Sequence, residues 1–244
     1  LRYFIEFAYK GTNYHGWQMQ PDAISVQEVL TKATNIILKD SFELVGAGRT
    51  DAGVHAAQMY AHFDTETVFD PQEIVRKLNS FLPEDIAVFS IFEVKDEAHT
   101  RFDATARTYE YHIHLKKNVF SKDLSWYHYR KLNIDKMNEA AKILLEYEDF
   151  ECFSKTHTDV FTFNCTLTEA FWQLKDDNLI FTISANRFLR NMVRAIVGTL
   201  INIGLEKIKV EEMRNIIESK NRGKAGFSVP AHGLYLTKVT YPYI

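Results

Sequence analysis

Gly46-Ala47-Gly48-Arg49-Thr50-Asp51-Ala52-Gly53-Val54-His55 joins an apolar run, Phe42 to Val45, to an alternating run, Ala57 to Phe63. Both flanks read as strands. Three glycines in eight residues put the backbone in a tight turn or close against a neighbour. Arg49 and Asp51, two apart, point to the same side if the segment is extended. A guanidinium beside a carboxylate favours its ionised form. A charged, positioned carboxylate on such a loop can act as nucleophile or base. An ordinary Asp-Gly turn between strands has the same composition. Two sharper motifs fail. A dinucleotide fingerprint would need Gly where Asp51 stands, and no Lys-Ser or Lys-Thr follows a Gly in phosphate-loop spacing.

Working outward, the loop sits in the middle of a β-α-β-β-α-β order. Arg2 to Tyr9 alternates, with Tyr3, Ile5, Phe7 and Tyr9 on one face. Ser25-Val26-Gln27-Glu28 is a capping box. It opens a helix with Val26, Val29, Leu30, Ala33, Ile36 and Ile37 on one stripe. Strands are predicted near 42–47 and 57–64. Asp70-Pro71 starts a second helix, with Ile74, Leu78 and Phe81 inward, and Pro83 stops it. Ile86 to Val94 reads as a strand with Val88, Phe92 and Val94 on one face. This is the order of a ferredoxin-like unit.

A second half of roughly the same order follows. Thr108 to Leu115 is a strand with Tyr109, Tyr111, Ile113 and Leu115 on one side, and Glu110, His112 and His114 outward. Residues 116–131 read as an irregular basic and aromatic insertion. Asp135 to Tyr147 is a helix, with Met137, Ala140, Ala141, Leu144 and Leu145 apolar. Residues 150–160 read as loop, and strands near 164–175 and 179–185 follow. Arg187 to Ile203 reads as a helix with Phe188, Met192, Ile196 and Leu200 spaced by four, stopped by Gly204. A short helix near 210–219 and a strand from Leu234 to Tyr241 end the chain. The fold class is therefore α+β: two ferredoxin-like or RRM-like halves, 1–100 and 101–244, in a pseudo-symmetric mixed sheet. Helices are expected on one side, with a central cleft that the second half completes.

Composition bounds the function. Of 244 residues, 46% are hydrophobic and 25% charged, enough for a sizeable core. No apolar run approaches the ~20 residues of a membrane span. Glu6 interrupts the first apolar stretch and no small-residue cleavage site follows, so a cytoplasmic protein is expected. Cys152 and Cys165 have no metal-hook spacing and are expected to be buried thiols. His112 and His114 lack further ligands, so no metal is expected. The net charge of -3 argues mildly against a nucleic-acid partner. Local charge matters more: from Leu179 to Leu205 there is no acid, while Arg187, Arg190 and Arg194 all occur.

Five blocks resemble, in order, the TruA family of tRNA pseudouridine synthases. They are Gly46 to His55; Tyr14-His15-Gly16-Trp17-Gln18; Phe102-Asp103-Ala104-Thr105-Ala106-Arg107-Thr108-Tyr109-Glu110-Tyr111; Phe188 to Gly198; and Gly233-Leu234-Tyr235-Leu236. They span residues 14 to 236. The resemblance implies two α+β units in one broad sheet, a homodimer, tRNA as partner, and no membrane or nucleotide cofactor. It implies isomerisation of uridine on the 3′ side of the anticodon stem-loop, with no cofactor consumed. It makes Asp51 the catalytic residue, puts Tyr109 against the target base and pairs Arg194 with the catalytic Asp. Leu234 would lie beneath the uracil and His55 near the nucleotide. Arg49 would meet the RNA backbone or help turn the nucleotide out, and Arg101, Arg107, Arg187 and Arg190 are candidates for phosphate contact.

The family often carries His where Leu189 or Asn191 stands here. The segment 150–165, with Lys155, His157 and Asp159, lacks the basic pattern expected of an RNA-facing insertion. A non-catalytic RNA-binding protein would need an aromatic RNP signature. The nearest approach, Arg222-Gly223-Lys224-Ala225-Gly226-Phe227, fails at its third position. A glycosidase would need two flanking carboxylates, and the loop has only Asp51.

Overall fold

A computed structural model describes residues 1–156 and 160–244. The residues predicted at His157 and Asp159 lie outside the described residues. The chain is α+β and divides into two compact units, Leu1–Thr105 with Tyr235–Ile244, and Ala106–Leu234.

The first unit runs β1 (Arg2–Tyr9), α1 (Val26–Leu38), β2 (Val45–Gly46), β3 (His55–Asp64), α2 (Pro71–Phe81) and β4 (Ile86–Val94). Strand β1 lies between β4 and β3, and β2 pairs with β3, all antiparallel. This is the ferredoxin-like order. The chain's last strand, β9 (Leu234–Thr240), pairs parallel with the start of β3, His55 opposite Tyr235 and Ala56 opposite Leu236. The last residues therefore pack with the first unit. Phe4, Ile5, Phe7, Leu30, Met59, Phe63 and Leu78 fill its core.

The helix starts follow their sequence signals. Ser25 accepts the Glu28 N–H at 3.2 Å and Asp70 accepts the Gln72 N–H at 2.9 Å. The buried stripes are narrower than the apolar spacing predicts. Ile36 and Phe81, expected inward, are 50% and 55% exposed, while Thr31 and Thr34 are buried instead. Thr34 returns its hydroxyl to the Leu30 carbonyl, so its burial leaves no polar group unmet. In β4 the expected face also changes. The register with β1 slips, Glu6 facing Ser90 but Phe7 facing Val88, so Phe89 is an extra residue. Ile86, Val88 and Ile91 are then the buried ones.

The second unit runs β5 (Ala106–His114), β6 (Trp126–Tyr127), α3 (Ile134–Leu144), β7 (Leu167–Lys175), β8 (Asn178–Ala185), α4 (Met192–Gly204) and α5 (Glu212–Glu218). Strand β8 pairs antiparallel with β5 and β7. The order β5-α3-β7-β8-α4 repeats β1-α1-β2-β3-α2, as the sequence pattern predicted. Three local expectations are corrected. The insertion at 116–131 is not wholly irregular, because β6 pairs parallel with β5. His114 is 6% exposed rather than outward, stacked on Tyr127 and hydrogen-bonded to Ser125. The helix expected from Arg187 begins at Met192, because Asn191 takes a left-handed conformation, φ +67°. Cys152 and Cys165 are buried thiols, and burial pushes their pKa values up to about 12 and about 11. Among the described residues, no helix is long and apolar enough to cross a membrane.

Candidate active site

In the first unit the loop before β3 is wedged against the segment after β1. The Thr50 hydroxyl shares a 2.8 Å hydrogen bond with the Tyr9 hydroxyl, and its carbonyl accepts the Trp17 N–H at 3.4 Å. Gly53 N–H donates to the Tyr14 carbonyl at 3.3 Å. The Asp51 carbonyl accepts Val54 N–H at 3.1 Å, closing a tight turn around Ala52 and Gly53. Gly16 is required here twice over. Its φ is +85°, and a Cβ on it would stand 2.2 Å from the Thr50 oxygen. The loop is thus tied on both sides of Asp51, and Asp51 itself is half-buried. A carboxylate so placed is pre-oriented yet reachable, which suits a nucleophile or base.

The segment after β1 is itself anchored. Tyr14 donates its hydroxyl to Asp85 at 2.5 Å, and Asn13 donates to the same carboxylate at 3.0 Å. Burial and this carboxylate push the Tyr14 pKa upward, so it stays a donor. Trp17 stacks on Phe7 with ring centroids 5.3 Å apart.

His55, expected near the nucleotide, lies buried beneath the loop. It is 1% exposed, its Nδ1 accepts the Gly11 N–H at 2.9 Å, and its ring lies 4.6 Å from that of Tyr235. A ring buried on these partners braces the loop from beneath. Arg49 is exposed on the loop. Arg101 is exposed, its guanidinium 5.6 Å from the Phe102 ring centroid.

In the second unit Tyr109 and Tyr111 diverge although they share a face of β5. Tyr111 is fully buried and donates its hydroxyl to the Pro230 carbonyl at 2.8 Å. Tyr109 is only half-buried, its ring edge-on to Phe188 at 5.1 Å and 87°. The core role that alternation alone would give Tyr109 belongs to its neighbour. Arg107 donates to the Asn186 carbonyl at 2.8 Å, and Arg187 to the Thr162 carbonyl at 3.4 Å. Arg190 is exposed. The turn between β8 and α4, residues 186–191, thus meets Arg107 through Asn186 and Tyr109 through Phe188, and also carries Arg187 and Arg190.

Arg194 lies in the first turn of α4. Its Nε donates to the Val229 carbonyl at 2.7 Å, while Val229 N–H donates to the Arg194 carbonyl at 3.3 Å. Leu234 is buried at the start of β9. Sequence reading missed the supports: Tyr9 behind Thr50, Gly11 on His55, and Val229 on Arg194. Gly16 was visible as a glycine in a family block, but nothing local to Tyr9 or Val229 marks either as a partner across the chain.

The sequence pattern of the family described as tRNA pseudouridine synthase matches residues 6–103 and 140–242. The tRNA pseudouridine synthase A of Bacteroides thetaiotaomicron is 52% identical over 244 residues, covering 99% of this chain and 91% of that protein. That of Bacteroides fragilis is 52% identical over 243 residues, covering 99% and 96%. That of a Thermoanaerobacter species is 42% identical over 244 residues, covering 97% and 98%.

Proposed function

The chain belongs to the tRNA pseudouridine synthase family, isomerases acting on uridine in tRNA, and from that premise we propose how it works and on which uridines. The substrate is the 3′ side of the anticodon stem-loop, and Asp51 is the catalytic residue. The reaction breaks the N-glycosidic bond, turns the detached uracil and rejoins it through C5. Atoms balance without an oxidant or a consumed nucleotide. The C5 proton leaves, and the uracil N1, freed from the sugar, takes one up.

Asp51 supplies the nucleophile or base that starts this sequence. Tyr109 lies against the uracil, where base–aromatic stacking contributes ~1–3 kcal/mol. Its half-exposed ring, set edge-on by Phe188, supports that reading. Arg194 and Leu234 take the roles that the resemblance gives their counterparts. Drawing the nucleotide out costs a few kcal/mol, which Arg49 offsets. Arg101, Arg107, Arg187 and Arg190 hold phosphates, so that recognition rests on shape and backbone. The protein works as a homodimer in the cytoplasm, its first unit carrying the Asp51 loop and its second the base-stacking tyrosine.

The observation that carries the reading is the bracing of the Asp51 loop by Tyr9, Tyr14 and Trp17. An ordinary turn needs no such frame. The test is tritium release from tRNA labelled at uridine C5. Asp51→Ala is expected to abolish release while tRNA affinity stays within about tenfold, because a nucleophile adds little to ground-state binding. Undiminished release would remove Asp51 from the chemistry.

A further inference from the structure

The segment Arg222 to Val229 lies along α4 as a strap, and its last residue, Val229, meets Arg194. A Cβ at Gly198, in the middle of α4, would stand 1.8 Å from the Phe227 carbonyl oxygen, so the strap touches the helix backbone itself. Gly226 N–H donates to the Thr199 hydroxyl at 2.8 Å, and Thr199 donates onward to the Ala195 carbonyl at 2.9 Å. The Arg222 guanidinium donates to the Gly226 carbonyl at 2.9 Å and to the Ser228 hydroxyl at 3.0 Å. Ser228 also accepts the Asn191 side-chain amide at 2.7 Å. The next residue, Val229, provides the carbonyl that receives Arg194 Nε.

Asn191 is unusual in this light. It occupies the N-cap of α4, yet its side chain caps nothing, and its φ is +67°. An N-cap asparagine ordinarily accepts a backbone N–H of the first turn. Here the amide reaches Ser228 instead, tying the helix start to the strap. The Asn191 and Arg222 bonds meet on one hydroxyl, next to the carbonyl that fixes the plane of the Arg194 guanidinium.

We infer that Arg222 and Asn191 are positioning residues for Arg194, acting through Ser228 and the Val229 carbonyl. The inference rests on the role proposed above for Arg194. A guanidinium pinned through Nε presents its other N–H groups in one direction, and losing the pin lets the plane turn. Arg222 thereby gains a purpose that the failed RNP-like pattern could not give it.

The test is single-turnover pseudouridine formation on an unmodified tRNA transcript, with affinity measured by filter binding. Arg222→Ala and Asn191→Gly are made singly and each combined with Arg194→Ala. Glycine keeps the left-handed turn and removes only the amide, so Asn191→Gly separates the contact from the backbone. Each single variant is expected to slow the reaction about 10- to 100-fold, the range for a group misplaced by around an ångström. Affinity should hold within about threefold, since the lost contact serves the reaction more than ground-state binding. Added to Arg194→Ala, neither should slow the reaction further by more than about twofold, since residues acting through one partner are non-additive. Equal slowing in the Arg194→Ala background would make the strap merely structural and overturn the inference. So would single variants at the wild-type rate. Wild-type speed in Arg194→Ala itself would overturn both this inference and the role of Arg194, whereas wild-type protein that forms no pseudouridine would overturn the proposed function. Where Arg222→Ala does not fold, Asn191→Gly and Ser228→Ala carry the same comparison.

Discussion

At the scale of single residues, environment separates side chains that sequence alone treats alike. Tyr109 and Tyr111 alternate on one strand, but only Tyr111 has its hydroxyl on Pro230 and its ring in the core. Tyr111→Phe should therefore destabilise the fold by about 0.5–1.5 kcal/mol, plus a penalty for the stranded carbonyl, with little effect on turnover. A urea titration checks it. At Tyr109 the expectation reverses. Tyr109→Ala should lose far more rate than Tyr109→Phe if stacking matters most, and equal losses would assign the hydroxyl a proton-transfer role. His62 offers a third case. It is buried on β3, shares a 2.8 Å hydrogen bond with Thr100, and meets the His99 ring edge-on at 4.6 Å. Burial, with His99 and Arg2 nearby, depresses its pKa from 6.5 to about 4, against the smaller opposing pull of Asp64 and Asp103. Between those values the unfolded chain binds the proton and the folded chain does not, so stability falls as pH falls through that window. His62→Asn should flatten the decline of urea midpoints from pH 6.5 to about 4, and a variant curve parallel to wild type would assign the decline to other groups.

At the scale of elements, legibility followed how local the determinants are. Helices α1 and α2 start where Ser25 and Asp70 say they should, because a cap needs only its own first turn. Ser25→Ala is expected to cost about 1 kcal/mol and lower the melting temperature, measured by circular dichroism. An unchanged melt would mean that the buried Ser25 hydroxyl contributes nothing net. The start of α4 is not legible in the sequence, because Phe188, Met192, Ile196 and Leu200 keep helical spacing through Asn191, a residue that leaves the helix. Periodicity reports which side chains are buried, and Phe188 does meet Tyr109, but from a turn rather than a helix. The buried face of β4 departs from the sequence pattern for a related reason. An extra residue at Phe89 breaks a period of two, and only pairing with β1 reveals it. Asp51 was legible as a Gly-framed carboxylate with a family likeness. The frame behind it was not, since Tyr9, Tyr14 and Trp17 reach it through backbone and hydroxyl contacts that leave no local pattern.

At the scale of the whole molecule, net charge misleads and its distribution does not. The unit Ala106–Leu234 holds nineteen Lys and Arg against sixteen Asp and Glu, a surplus of three positive charges. The remainder holds ten against sixteen, a deficit of six, and together they give the -3 of the chain. An RNA that neutralises phosphates on basic side chains releases counterions, and affinity then falls steeply with salt whatever the total charge. Five arginines are proposed to touch RNA, and three of them, Arg107, Arg187 and Arg190, belong to the positive unit. Each lost phosphate contact should lower the slope of log affinity against log salt by about 0.7–1. Arg190→Gln should thus weaken tRNA binding most at low salt and flatten the line, while leaving the single-turnover rate at saturating enzyme near wild type. Tyr109→Ala should do the opposite, lowering the rate with the slope unchanged. A wild-type line already flat between low and physiological salt would mean that the second unit's positive charge does not face RNA, and that its arginines serve the fold through carbonyls such as those of Asn186 and Thr162.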